Sequence, residues 1–246
     1  MSKRTGKTII GLTGNIATGK SVVRRMMEHL GAYTIDADSL AHRVLSKGAP
    51  GYQPTLDRFG KWVLDKDGNI DRAKLGKLVF SDADALAQLE EIVHPYVLQA
   101  VDLLIRRANQ RVIVVEAIKL IESGMREQCD SIWVTDAPQE VQIERLMRKR
   151  NLTREESIQR IRAQAPQSDK LAAAAVIIRN TGSYDELWNQ VSTEWKRFAP
   201  KPETGPLPAS NTQPGTYFLL RGRPRDAQRI AEFISRQSKG RRALQA

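Results

Sequence analysis

Short apolar runs alternate along the chain with longer segments whose apolar residues recur at helical spacing. Five of these runs are short, rich in β-branched residues and bounded by turn residues, which is typical of buried strands. We predict the strands at residues 8–12, 32–35, 111–116, 131–136 and 176–180. Strands that alternate with helices favour a parallel sheet covered by helices, so the pattern predicts an α/β fold with a five-stranded parallel sheet.

Residues 49–106 interrupt this alternation, because the spacing of apolar residues there predicts helices only. We predict these helices at 52–60, 71–80 and 82–106. Ser81 is a suitable N-cap for the third helix, and Pro95 predicts that this helix kinks or restarts. A helical insertion between the second and third strands is a usual place for a subdomain that binds an acceptor substrate.

The loop after the first strand has the spacing G-x-x-x-x-G-K-[ST], and a helix is predicted to follow it. Its glycines allow positive φ, and successive N–H groups then face one concavity at the helix N-terminus. Lys20 would place a cation against the β- and γ-phosphates, and Ser21 would offer a hydroxyl to Mg²⁺. The loop therefore predicts binding of a nucleoside triphosphate. The residues predicted to bind it are Gly14, Asn15, Ile16, Ala17, Thr18, Gly19, Lys20, Ser21 and Val22.

Acidic residues end the second and third predicted strands. Asp36 and Asp38 follow the second strand, and Glu116 closes the third. Open parallel sheets bind ligands at the carboxyl ends of their strands, and in extended backbone Asp36 and Asp38 would share a face. Two interpretations stay open. Either these aspartates are only structural, one of them capping the next helix, or one takes part in phosphoryl transfer through Mg²⁺ or the acceptor hydroxyl.

Residues 139–165 are predicted to form a strongly basic helical stretch. Within it, Thr153 and Glu156 have the spacing of a capping box, which predicts that a new helix begins there. A run of charges is usually a solvated face. Between the fourth and fifth strands of a phosphate-binding sheet, however, nucleotide kinases carry a lid, and we predict that at least one of these arginines grips phosphate. A closing helix is predicted at 184–198. Its apolar stripe consists of Leu187, Trp188, Val191, Trp195 and Phe198.

Composition adds limits to the class of protein. The chain has 246 residues and a formal net charge of +11, which suits small polyanionic substrates. Its N-terminus lacks the apolar core of a signal peptide, and no run approaches the ~20 apolar residues of a membrane span, so we expect a cytoplasmic protein without membrane contact. The single cysteine, Cys129, excludes an internal disulfide and a cysteine-based zinc site.

The chain changes character at Pro200. Residues 201–215 are rich in proline and predict a linker, and residues 216–246 are predicted to form a basic C-terminal extension. Residues 217–238 look like the opening β-α unit of acetyltransferases that use acetyl-CoA, but they are too short to form such a domain. A truncated fused domain, a docking or swapping arm and a disordered tail stay open. The charge of this tail also makes nucleic-acid binding an alternative function, which we rank last.

With these residues in place, the chain resembles the dephospho-CoA kinase family over about residues 7–198. Besides the phosphate loop, the most specific matches are Ile35-Asp36-Ala37-Asp38, Asp71-Arg72, Val79-Phe80, His94-Pro95, Glu122-Ser123-Gly124-Met125, Arg145-Leu146, Arg150, Gln164, Lys170 and Asn180-Thr181-Gly182. The resemblance implies a three-layer P-loop nucleotide-kinase fold, with an acceptor-binding insertion at about 49–106 and a lid at about 139–170. It also implies ATP- and Mg²⁺-dependent phosphorylation of the ribose 3′-hydroxyl of dephospho-CoA, the last step of coenzyme A biosynthesis.

The resemblance further implies roles for single residues. Asp38 would orient the acceptor hydroxyl and take its proton, while Lys20 and Arg145 would neutralise the charge that grows on the transferred group. Ser21 would hold Mg²⁺. Arg150 and Asn180 would join the nucleotide site. The residues implied for the acceptor are Asp36, Arg72, Phe80, His94 and Glu116.

The chain departs from the family pattern at three places. Glu116 stands where an aspartate is usual, and it keeps the charge. Ile118-Lys119-Leu120 replaces a proline and two leucines, so Lys119 either reshapes the acceptor pocket or pairs with a phosphate. Ala174-Ala175 replaces Ala-Asp, which removes a carboxylate near the lid. The second-ranked hypothesis is another nucleotide kinase of the same architecture with a different acceptor, and the oligomeric state stays open.

Overall fold

The computed structural model describes residues 6–198, apart from the side chain of Phe80. Within this range the chain divides into two compact units. The first contains the residues up to Asp38 and those from Leu104 onward, and the second is Ser39–Leu103. The predicted linker at 201–215 and the predicted extension at 216–246 lie outside the described residues.

The first unit is built on a five-stranded sheet in which every neighbouring pair of strands is parallel. The strands are β1 (Thr8–Thr13), β2 (Tyr33–Asp36), β3 (Val112–Glu116), β4 (Ser131–Asp136) and β5 (Val176–Arg179). Their order across the sheet is β2-β3-β1-β4-β5. The predicted parallel sheet is therefore confirmed, and the ends of its strands differ from the prediction by one residue at most.

Helices occupy most of the remaining residues in the described range. They are α1 (Lys20–His29), α2 (Ala37–Val44), α3 (Tyr52–Phe59), α4 (Arg72–Ser81), α5 (Ala83–Arg107), α6 (Gln139–Arg150), α7 (Arg154–Arg162), α8 (Gln167–Ala172) and α9 (Tyr184–Trp195). The sequence did not predict α8, because six residues are too few to show a helical period. The capping box at α7 is present as predicted, with Thr153 and Glu156 each bonding the backbone of the other.

One apolar core joins the sheet to α1 and α9. Strand residues such as Leu12, Val114 and Trp133 are buried in it, together with Met27 of α1 and Val191 of α9. Burying a large apolar side chain contributes about 1.5–3 kcal/mol. The predicted stripe of the closing helix is confirmed, because its members are either buried in this core or packed against it. The packing fixes the end of β1 and the axis of α1, and thereby the two ends of the phosphate loop.

The opposite face of β1 is packed just as closely. A side chain added at Gly11 would meet the side chains of Leu120, Cys129 and Ile132 at 2.8, 2.9 and 3.0 Å. Leu120 is fully buried there. The segment that follows β3, where the chain departs from the family pattern, is therefore anchored in the interior by Leu120.

The second unit has its own apolar core, formed by buried residues of α3, α4 and α5 and by the short 3₁₀ turn between α3 and α4. One local prediction was wrong here. Asp82, rather than Ser81, caps α5, because its carboxylate accepts from the N–H groups of Asp84 and Ala85 at 2.9 and 3.1 Å. Helix α5 continues through Pro95, so it does not restart there, and the predicted kink at this residue stays a prediction. Burial of Val93 and Val97 on either side outweighs the hydrogen bond that proline cannot make.

Candidate active site

The phosphate loop joins β1 to α1, and its two fixed glycines are both structurally required. Gly14 has φ +143° and Gly19 has φ +104°, which lie in the region that favours glycine. A side chain at Gly14 would collide with Thr135, and one at Gly19 would collide with the amide of Asn180. Thr135 of β4 and the side chain of Asn180, which follows β5, thus close around the loop, and this leaves no room for another residue at either position.

Ala17 is a feature of the loop that the sequence did not reveal. It has φ +61°, so a residue with a side chain occupies left-handed backbone. Such a conformation costs roughly 1–2 kcal/mol. The guanidinium of Arg145 donates to the Ala17 carbonyl at 3.1 Å, which helps to hold the strained peptide in place.

Lys20 is the first residue of α1 and is only 8% exposed. Its ammonium donates to the carbonyls of Gly14 at 2.8 Å and Asn15 at 3.3 Å. Burial lowers the pKa of Lys20, while the negative charges of Glu116 and Asp38 act in the opposite direction. The ammonium therefore contacts neutral oxygens of its own loop and lies within the field of two carboxylates.

A cavity of about 460 Å³ opens beside the loop. Lys20, Ser21 and the neighbouring loop residues line it, together with the side chains of Asp38, Glu116 and Arg145. Ser21 is exposed in the first turn of α1, where N–H groups have no carbonyl one turn earlier to bond. An anion in this cavity would meet the positive end of a helix and a lysine.

The three predicted carboxylates are placed differently from one another. Because α2 begins at Ala37, Asp38 lies in the first helical turn instead of sharing an extended face with Asp36, so that part of the prediction was wrong. Asp38 lines the cavity and accepts from the N–H of Ile118 at 3.3 Å. Asp36 is the last residue of β2 and pairs in register with Glu116 on β3.

Glu116 is paired with an arginine that sequence reasoning missed. Its carboxylate accepts from Nε of Arg24 at 2.6 Å, and the same guanidinium donates to Glu28 at 2.7 Å and to Thr34 at 3.2 Å. Burial raises the pKa of Glu116, and Arg24 opposes that shift. Arg24 lies one turn after Lys20 on α1, and this spacing is the only sequence signal that could have drawn attention to it.

Arg145 of α6 joins the loop to the segment after β5. Besides the Ala17 carbonyl, it donates to the backbone oxygen of Asn180 at 2.9 Å and to its side-chain oxygen at 3.1 Å. Asn180 in turn donates to the Thr18 carbonyl at 2.9 Å. Arg150, at the end of α6, is exposed and lines the cavity. The structure thus brings the two predicted lid arginines and Asn180 to the loop and its cavity.

Two glutamines also contact the loop: Gln164, which is among the matches to the family but was given no role, and Gln167, which the sequence did not single out. Gln164 follows α7 and accepts from the N–H of Ile16 at 2.7 Å. Gln167 opens α8 and accepts from the N–H of Asn15 at 3.0 Å. Since each bond joins residues about 150 positions apart, local patterns in the sequence could not have indicated them.

The remaining acceptor candidates belong to the second unit. Arg72 is exposed at the start of α4, Phe80 lies near the end of the same helix, and His94 is half-buried in α5. Asp71 caps α4, with its carboxylate accepting from the N–H of Ala73 at 2.9 Å, so the helix start that carries Arg72 is well defined. Their contact with an acceptor stays a prediction.

Residues 6–198 contain neither a cluster of metal ligands nor a membrane-spanning helix. No group of three or more His, Cys, Asp or Glu side chains in that range could hold a metal ion. In the same range, no helix has the length and apolar character needed to cross a membrane.

A triphosphate needs amide donors and a lysine, and an acceptor hydroxyl needs a carboxylate nearby. The loop after β1 and the cavity beside it supply both at the carboxyl end of a parallel sheet. Fold and site together define a P-loop kinase.

Comparison with known proteins narrows this class. The family model for dephospho-CoA kinase matches residues 8–186. The chain belongs to the dephospho-CoA kinase family, whose enzymes catalyse the final, ATP-dependent step of coenzyme A biosynthesis.

Individual relatives agree with the family model. A dephospho-CoA kinase from Carboxydothermus hydrogenoformans is 42% identical over 201 residues, covering 78% of this chain and 98% of the relative. One from Geobacter sulfurreducens is 41% identical over 194 residues, covering 77% and 98%. Among solved structures, a protein from Thermus thermophilus matches with a TM-score of 0.70 and 31% identity, over 80% of this chain and all of that one. A dephospho-CoA kinase from Campylobacter jejuni matches with a TM-score of 0.57 and 29% identity, over 78% and 97%.

Proposed function

We propose that this enzyme transfers the γ-phosphoryl group of ATP to the ribose 3′-hydroxyl of dephospho-CoA, giving coenzyme A and ADP. The observation that carries the proposal is the cavity in which Lys20, Ser21 and Asp38 meet beside the phosphate loop. Membership of the dephospho-CoA kinase family supports the choice of acceptor. A cytoplasmic location is part of the same proposal.

ATP would bind with its phosphates on residues 14–22. Residues at the start of α1 line the cavity, and Lys20 would exchange its carbonyl contacts at Gly14 and Asn15 for phosphate oxygens. The exchange is favourable because a phosphate carries full negative charge, whereas a carbonyl carries only a dipole. Arg150 and Asn180 would complete the nucleotide site.

The residues present fit a magnesium ion of the kind that P-loop kinases use. Mg²⁺ keeps several waters and takes only one or two protein ligands beside the phosphates, so a cage of three protein ligands is not required. Ser21 would hold it through its hydroxyl, and the cavity also contains the carboxylates of Asp38 and Glu116. When bound, the ion would neutralise charge on the β- and γ-phosphates.

Asp38 is proposed to orient the 3′-hydroxyl of the acceptor and to accept its proton. It stands in the first turn of α2, within the same cavity as Lys20. In a loose transition state, positioning and charge neutralisation matter more than the strength of the base. Lys20 and Arg145 would supply the neutralising charge, and losing one such donor typically costs about 10²–10³ in rate.

In the first unit, Asp36 and Glu116 at the ends of β2 and β3 are proposed to contact the acceptor. In the second unit, taken by itself, the proposed acceptor contacts are Arg72, Phe80 and His94. Two of these positions are supported by their surroundings. Glu116 is oriented by Arg24, and Arg72 opens a capped helix with its side chain exposed. An exposed arginine suits a substrate that carries a pyrophosphate.

An acceptor screen tests the proposal. Purified protein is supplied with ATP and Mg²⁺, and ADP release is measured with dephospho-CoA, AMP, CMP, a nucleoside and no acceptor. The proposal predicts ADP release that depends strictly on dephospho-CoA, with a product phosphorylated at the ribose 3′-position. Equal turnover with the other acceptors and none with dephospho-CoA would refute it.

A further inference from the structure

The segment that links α7 to α8 grips the first half of the phosphate loop. Gln164 accepts from the N–H of Ile16 at 2.7 Å, and Gln167 accepts from the N–H of Asn15 at 3.0 Å. The side-chain amide of Asn15 also donates to the Ala165 carbonyl at 3.0 Å. Three hydrogen bonds therefore hold two consecutive loop residues to one short segment, and two of them come from the glutamine pair, Gln164 and Gln167.

Gln167 is fixed at its other end as well. Its Nε2 donates to the carbonyl of Thr135 at 2.9 Å and to the carboxylate of Asp136 at 3.2 Å, both at the end of β4. The helix that Gln167 opens is anchored by an ion pair between Lys170, which is 2% exposed, and Glu122. A side chain tied at both ends on an anchored helix has few alternative positions, so it can define where the Asn15 peptide lies.

The Asn15 peptide leads directly to the lysine of the loop. Its carbonyl accepts from the ammonium of Lys20 at 3.3 Å and from the hydroxyl of Thr18 at 2.8 Å. The N–H of this residue is the group that Gln167 holds. If Asn15 moves, one of the two carbonyl oxygens that accept from the Lys20 ammonium moves with it, and so does the start of the loop.

We propose that Gln167, assisted by Gln164, is a positioning residue for phosphoryl transfer, and that it acts through Asn15 on the phosphate loop and Lys20. This inference rests on the proposed function. Displacing a catalytic group by about 1 Å can lower a rate by about 10². Since Gln167 restrains Lys20 through one intervening residue, its loss should affect the chemical step more than the binding of ATP.

The test compares Gln167→Met with a matched control, Gln190→Met. Both glutamines are half-buried, and both bond backbone groups with each end of the amide. Gln190, however, bonds Arg179 on β5, accepting from its N–H at 3.0 Å and donating to its carbonyl at 2.9 Å. Methionine keeps the length of the side chain and removes the hydrogen bonds. For each variant we would measure kcat, the Kd of ATP by calorimetry and Tm.

We expect Gln167→Met to lose about tenfold in kcat while the Kd of ATP changes less than about threefold, since the group acts on the transition state. Gln190→Met should lower Tm by about as much as Gln167→Met does, and it should keep kcat within about twofold of the unchanged protein. Equal kcat in the two variants would overturn the proposal, as would a loss confined to ATP affinity.

A milder variant keeps the proposal testable if Gln167→Met does not fold. Gln164→Met removes only the bond from Ile16, and we expect it to lose about threefold in kcat. A folded Gln164→Met with unchanged kcat would then count against the glutamine pair. The proposed function is tested separately, by measuring whether the unchanged protein phosphorylates dephospho-CoA. If it prefers another acceptor, the variants are compared with that one.

Discussion

Two lysines are buried in the part of the first unit that the structure describes, and the groups that their ammonium ions contact differ in charge. Lys170 is 2% exposed and pairs directly with the carboxylate of Glu122. Lys20 is 8% exposed, and within residues 6–198 its ammonium donates only to the carbonyls of Gly14 and Asn15, with Glu116 and Asp38 acting from farther away. The charge of Lys170 is thus matched by a carboxylate, whereas the charge of Lys20 is left for a ligand.

The difference has an energetic consequence. Burial lowers the pKa of Lys20 from its ordinary value of 10.5, so the unfolded chain binds this proton more tightly than the folded one does. Lys20 therefore lowers the free energy of unfolding at neutral pH, and that cost fades as pH rises toward 10.5. Such a cost is expected of a charge that we propose binds substrate phosphates, and it is common at functional sites.

The largest effect is expected from Lys20→Met. We predict a loss of about 10²–10³ in kcat, because the charge on the transferred group loses its main cation. The free energy of unfolding should stay the same or rise, since the buried charge is removed. Steady-state kinetics and thermal denaturation measure the two quantities. A kcat within tenfold of the unchanged protein would contradict the assignment.

Lys170→Met should show the reverse pattern. We predict a loss of about 2 kcal/mol in the free energy of unfolding, because a charge-assisted hydrogen bond is removed and Glu122, whose side chain is 36% exposed, is left to water. Turnover should fall by about tenfold at most. Urea denaturation and steady-state kinetics measure the two quantities. A catalytic loss as large as that of Lys20→Met, without a loss of stability, would contradict the structural role given to Lys170.

The same contrast explains what the sequence could and could not predict. Lys20 lies in a contiguous motif between a strand and a helix, and β1 and α1 form where the apolar pattern predicts them. The sequence alone could therefore predict this part of the site. Arg24 and Gln167 act through partners about 90 to 150 positions away, which no local pattern encodes. Asp38 was predicted at the cavity, but on extended backbone. Its helical position depends on where α2 begins, and helix ends are the least predictable feature.

A second comparison, between Arg24 and its neighbour Arg25, concerns Glu116, whose charge acts on Lys20. Burial raises the pKa of Glu116 and Arg24 opposes this, so Arg24→Met should raise that pKa further. The acid limb of the pH profile of kcat/KM should then move to higher pH, with a severalfold loss near its midpoint and little change at alkaline pH. Arg25→Met is the control, because Arg25 is the exposed neighbour on the same helix. An acid limb that does not move would mean that the ionisation of Glu116 does not control kcat/KM.

The smallest effect is expected at Ala17, whose left-handed backbone costs roughly 1–2 kcal/mol. Ala17→Gly should relieve most of that strain. Part of the stability gained is lost again, because glycine gives the unfolded chain more conformational entropy. The net prediction is a gain of about 0.5–1 kcal/mol in the free energy of unfolding, measured by denaturant titration. A loss of stability would mean that the methyl group of Ala17 makes contacts that outweigh the strain.

The central claim is that Asp38, which lines the cavity beside the phosphate loop, acts on the acceptor and not on ATP. Asp38→Asn tests it most directly, by calorimetric titration of ATP together with single-turnover formation of coenzyme A. The account predicts ATP affinity within about threefold of the unchanged protein and a rate lowered by about 10² or more. A near-normal rate, or a loss that comes entirely from weaker ATP binding, would contradict it.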